Sequence, residues 1–195
     1  MSLLETIAVV LIFLAGLAFL VIRDWRWSLA ALAVQYLGVF ILVIGWLGLE
    51  LAAIKLIAGW MATAILGATR PGTIAGDDRQ AGALFKVFVY LLICLSMWAA
   101  VGGMLDWFPE LLPFQGMSAL ILIGTGLFGM GIEKSPVRMV SGLLFFMSGF
   151  ELVYAALEPS ALVAGLLAAV ALALALAGAY LSTGELPKLE EEESL

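Results

Sequence analysis

Leu3-Leu-Glu-Thr-Ile-Ala-Val-Val-Leu-Ile-Phe-Leu-Ala-Gly-Leu-Ala-Phe-Leu-Val-Ile22, followed at once by Arg23-Asp-Trp-Arg-Trp27, is the stretch that decides the fold. A helix needs roughly 20 apolar residues to cross the hydrocarbon of a bilayer. A stop of arginines and tryptophans is what the headgroup region favours. The run carries Glu5 where a leader would carry basic residues, and it is longer than a leader core, so it reads as a retained span. Working outward, six further apolar runs follow: Trp27–Trp46, Leu47–Ala68, Ala83–Leu105, Met117–Ile132, Val137–Leu157 and Ala161–Leu181. The second and third have no polar linker between them and require a very tight turn near Gly45 and Gly48. Glu158-Pro159 separates the last two. The expected fold is an all-α polytopic membrane protein of about seven transmembrane helices.

Composition supports this reading. Of the 195 residues, 64% are apolar and 12% charged, with a mean hydropathy of +1.15, whereas soluble domains are about a quarter charged. Histidine is absent and Cys94 is the one cysteine. Histidine-ligated haem, zinc, iron–sulfur clusters and an intramolecular disulfide are therefore excluded within the chain. We expect no cofactor and no catalytic centre of the chain's own. No basic patch offers itself to nucleic acid.

The expected organisation is an N-terminal three-helix unit (1–69), a loop rich in Pro and Gly (70–82), a linking helix with an interfacial segment (83–115), a second three-helix unit (116–182) and an acidic tail (183–195). With seven alternating spans, Arg23, Arg26, Arg70, Arg79, Lys86, Lys134, Arg138 and Lys188 share one side, eight of the nine basic residues. Glu5, Glu50, Asp106, Glu110 and Glu158 share the other. Basic loops stay cytoplasmic, so the N-terminus is expected outside and the tail inside, in a bacterial or archaeal inner membrane.

An ionisable group within a span is a functional candidate by default. Glu151 lies thirteen residues past Arg138, roughly 20 Å along the helix. It reads either as a proton-exchanging carboxyl or as a protonated acid making one interhelical hydrogen bond. Ser148 and Tyr154 stand three residues to either side of it. Lys55, the weaker candidate, either snorkels to the outer interface or pairs with a carboxylate of this chain or a neighbour. Gly124, Gly126, Gly129 and Gly131 form a face for close helix packing.

The segment Leu120–Ser182 resembles subunit K (chain 4L) of NADH-quinone oxidoreductase, and with it the related three-helix proteins of multisubunit sodium/proton antiporters and component E of hydrogenase-4. The resemblance rests on a helix, the short loop Glu133-Lys-Ser-Pro-Val-Arg138, then Leu143-Leu-Phe with Gly149-Phe-Glu151, and a third helix. It implies that Glu151 belongs to an intramembrane chain of charged groups that moves protons. It also implies larger membrane subunits as partners in a hetero-oligomeric complex. The family's second glutamate, on the third helix, matches Val170 here. The first three spans repeat the plan of the last three, a parallel 3+1+3 arrangement in which Ile41 falls where Glu151 stands. The expected function is thus an accessory membrane subunit of an energy-converting complex. The alternatives are a structural or assembly subunit without a proton role, and a small stand-alone transporter.

Overall fold

The computed structural model describes residues 3–22, 24–69, 82–132, 135–158 and 160–183. The 70–80 loop, the acidic tail and the basic residues Arg23, Arg70, Arg79, Lys134 and Lys188 fall outside the described residues.

Six helices account for nearly all of it: α1 (Leu3–Val21), α2 (Trp25–Ala68), α3 (Ala83–Trp107), α4 (Pro113–Ile132), α5 (Pro136–Leu157) and α6 (Ala161–Thr183). All six are long and apolar enough to cross a membrane, and the described residues form no strand. This is an all-helical, multi-pass membrane architecture. The second and third expected runs fall within Trp25–Ala68, a 44-residue stretch interrupted by one non-helical residue, so six helices stand where seven were expected.

A straight helix of that length would reach about 66 Å, twice the hydrocarbon thickness. It does not run straight. Gly48, at φ +75° and ψ 167°, breaks the helical path, a conformation that costs an L side chain dearly and glycine little. The two arms, residues 25–47 (α2a) and 49–68 (α2b), fold back on each other. The Trp60 indole N–H donates to the Ala33 carbonyl at 3.2 Å. Gly59 seats the Tyr36 ring, and a Cβ at Gly67 would stand 3.6 Å from the Leu29 side chain. Only a residue without a side chain lets the Tyr36 ring lie against the backbone at position 59.

Local signals set the helix starts. Asp24 caps α2 by accepting from the Arg26 N–H at 2.9 Å, and proline opens α4 and α5, where its missing donor is not needed. In α4 the Gln115 side chain reaches back to the Leu112 N–H at 3.1 Å while its amide N–H reaches the Leu42 carbonyl at 3.5 Å. That second bond ties the start of α4 to the end of α2a. At the opposite side, Arg138 of α5 donates to the carbonyls of Phe19 and Ile22, both at 2.9 Å. The last turn of α1 has no basic residue of its own, so its orphan carbonyls are satisfied by a neighbouring helix.

Small residues set the closest approaches. A Cβ at Gly126 would stand 2.5 Å from the Gly142 carbonyl oxygen and from the Phe146 nitrogen. Gly124 faces Ile93 and Gly129 holds the Phe19 ring, but Gly131 has nothing within 4 Å. Gly124, Gly126 and Gly129 thus stand where a Cβ would meet a neighbouring helix. Gly131 instead sits on the open side of α4.

One pattern recurs along the chain. Gly38 packs on Ala8 and Ile12, and Gly149 packs on Ala119 and Ile123. Gly67 packs on Leu29, and Gly178 on Val140. Every residue in one set stands 111 positions before its counterpart, as Gly38 does before Gly149. The same offset carries position 48 into the interval between α5 and α6, and the start of α2 onto the start of α5. In that register Phe40, not Ile41, corresponds to Glu151. Helix α3 lies beside this pattern and buries only Lys86 and Tyr90, the latter donating to the Phe13 carbonyl at 2.7 Å.

Candidate functional site

The apolar face of α5 toward α4 is fixed by Gly142 and Gly149, and this turns Glu151 toward the α2 hairpin. On α2b, Ala52, Lys55, Gly59, Ala62 and Leu66 recur at three- and four-residue spacing and make the buried stripe. Lys55 therefore faces inward, not toward the interface. Its Nζ donates to Glu151 Oε2 at 3.3 Å, with 8% and 7% of the two side chains exposed. This is the pairing alternative for Lys55. Snorkelling is not what the side chain does, because the stripe it belongs to is covered along its length.

A small cavity adjoins the pair, with room for about one water molecule. Tyr36, Val39, Phe40 and Val43 of α2a line it, as do Ala52, Lys55 and Leu56 of α2b and Glu151 of α5. Tyr36 is buried, and its hydroxyl lies close to both Glu151 and the Ser148 hydroxyl. Ser148 itself donates to the Leu144 carbonyl at 2.8 Å. Tyr154, three residues beyond Glu151, turns outward and donates to Glu158 at 3.4 Å. The tyrosine at the site thus comes from α2a and not from α5.

Depth follows from helix rise. Lys55 is seven residues from the Gly48 break, about 10 Å, and Glu151 is six residues from the end of α5, about 9 Å. From Pro136 at the other end, Glu151 is about 22 Å away. The pair lies nearer the side that carries the hairpin turn. Glu50, at the mouth of α2b, is exposed and not part of the site.

Two buried polar groups elsewhere were not singled out by sequence reading. Gln35 is fully buried with neither amide atom hydrogen-bonded, and the buried Thr125 hydroxyl is likewise unbonded. Tyr36 and Gln35 carried a signal in principle, since polar residues within a span are costly. Neither type is ionised at neutral pH, so neither stood out beside Glu151. The glycines of α4 serve packing and lie away from the cavity. No cluster of three or more metal-ligating side chains exists among the described residues, and nothing in the cavity lining is suited to hold a redox group. Comparison with known proteins adds no name to this geometry: no protein-family model, no curated protein and no solved structure matches the chain.

Proposed function

We propose that this chain is an accessory integral-membrane subunit of a multisubunit energy-converting complex, and that Lys55 and Glu151 exchange protons within it. In this reading the two arms of α2 are separate spans. The chain then crosses the membrane seven times in a 3+1+3 plan, with α3 as the odd helix. The recurrence of packing contacts at an offset of 111 residues supports that plan. The distribution of Lys and Arg supports an outer hairpin turn and a cytoplasmic tail.

The observation that carries the proton role is the buried pair at 3.3 Å beside a water-sized cavity. Burial penalises both ions, and their attraction offsets the penalty only while they stay together. Moving one proton from Nζ to Oε2 leaves a neutral acid and a neutral amine, which suit the same surroundings. A site that accommodates both arrangements can accept a proton from one direction and release it in another. A hard metal cation would need about six oxygen ligands, while the cavity offers a carboxylate and one phenol beside a repelling ammonium. A proton needs only the carboxylate. Val170 occupies the place of a second glutamate, and Lys55, from the other half of the chain, supplies the partner charge instead.

Mild-detergent purification with identification of companion chains, followed by proton-translocation assays on the reconstituted assembly, tests the proposal. Glu151→Gln should leave the assembly intact and lower translocation. Full translocation by an assembled Glu151→Gln variant would reduce the pair to a structural pin. Recovery of the wild-type chain alone, with transport activity, would remove the subunit role.

A further inference from the structure

We infer that the Lys55–Glu151 pair communicates with water through the interior of the α2 hairpin, from the side of its turn, and that Tyr36 closes the opposite direction. The inference rests on the proton-exchange reading for what passes, but the route itself follows from the hairpin.

The cavity lining is not spread evenly around the pair. On α2a it climbs from Tyr36 through Val39 and Phe40 to Val43, and on α2b it climbs from Leu56 and Lys55 to Ala52. Both sets advance toward Gly48. From Val43 or Ala52 to Gly48 is four or five residues, about 6–8 Å of helix. At the turn itself Gly45 and Gly48 are exposed, with open space where a Cβ would stand.

Below the pair the arms are shut. Tyr36 seats its ring on Gly59, one residue further Trp60 bonds the Ala33 carbonyl at 3.2 Å, and Leu29 meets Gly67. About 20 Å of this sealed hairpin separates Lys55 from Thr69 at the far end. On that side the polar group of the cavity lining contributed by α2a is the Tyr36 hydroxyl. Tyr36 is accordingly the floor of the cavity, and Gly59 is the residue that lets its ring lie flat enough to make one.

Each half of the chain contributes one charge to the pair, Lys55 from α2b and Glu151 from α5. At the offset of 111 residues, Glu151 corresponds to Phe40 and Lys55 to Leu166. The second hairpin, between α5 and α6, therefore holds Glu151 itself but has Leu166 where the first has Lys55, and the first has Phe40 where the second has Glu151.

Thiol labelling in sealed vesicles of defined orientation tests the route without reference to transport. In a Cys94→Ala background, single cysteines replace Ala52 and Leu56, which line the cavity, and Ala62, which lies beyond Tyr36. A small, charged, membrane-impermeant methanethiosulfonate should label Ala52→Cys and Leu56→Cys from the turn side and leave Ala62→Cys unlabelled. Adding Tyr36→Ala should bring labelling to Ala62→Cys from that same side. Labelling of Ala52→Cys from the opposite side only, or by a lipid-soluble maleimide only, overturns the route. Ala62→Cys labelling with Tyr36 intact removes its closing role. Because the readout is chemical access, success here together with normal translocation by Glu151→Gln would retire the proton reading and leave the route standing.

Discussion

Lys55→Met is the substitution whose consequence follows most directly from the structure. It removes the ammonium and keeps the stem, leaving Glu151 buried beside a thioether. At an effective dielectric of about 20, two unit charges 3.3 Å apart attract by about 5 kcal/mol. Much of that attraction offsets desolvation, and breaking one partner of a buried pair costs about 3–5 kcal/mol in measured cases. Glu151 has an escape that an arginine partner would not: it can take up a proton, which brings the loss toward the lower end of that range. Glu151→Leu alone leaves Lys55 in the same position with the mirrored escape. The double variant has no buried charge left and should recover most of the loss, because apolar replacement of a whole buried pair is neutral or stabilising. Thermal unfolding in detergent, read by intrinsic fluorescence and arranged as a double-mutant cycle, measures the coupling. A coupling of about 2 kcal/mol or more is expected. Two single variants within about 0.5 kcal/mol of wild type, adding without interaction, would refute the argument that this pair is formed and desolvated.

Four other substitutions probe the framework. Gly126→Ala puts a Cβ 2.5 Å from the Gly142 carbonyl and must push α4 from α5, for a loss of about 1–3 kcal/mol in the same unfolding assay. The matched Gly131→Ala meets nothing within 4 Å, so it should be neutral or gain up to about 1 kcal/mol from helix propensity. Gly48→Val places a β-branched residue at φ +75° and should cost about 1–3 kcal/mol, with the hairpin turn opening to protease before the helices unfold. Arg138→Leu strips the Phe19 and Ile22 carbonyls of their donor, and amide exchange should rise in the last turn of α1 while its first turn is unchanged, at a cost of about 1.5–3 kcal/mol.

What sequence alone determined here is the class of fold and the ends of most helices. In a bilayer each backbone group must be satisfied within its own helix, and each side chain contributes its own transfer free energy. Both are local quantities, summed along a window, so runs such as Leu3–Ile22 and Ala83–Leu105 could be bounded by inspection. The hairpin was legible too, because two spans with no polar linker demand a glycine turn, and Gly48 makes it. That a single non-helical residue would suffice for the turn was not, since a break of one residue leaves no polar trace.

The site was only half legible. Glu151 and Lys55 stood out because ions in hydrocarbon are rare, but they lie 96 positions apart, and nothing local states that they meet. Whether they do depends on how α5 and α2b are rotated about their axes. That rotation is set by where Gly142 and Gly149 let α5 approach α4, and by the Ala52-to-Leu66 stripe that turns α2b inward. Tyr36 joins the site through Gly59, a neighbour 23 positions away across the hairpin. Tyr154, close in sequence, points elsewhere. Transfer free energies say which segments enter the membrane and are blind to rotation. Close packing of small residues decides rotation, and so only the tertiary structure could decide which polar groups share a cavity.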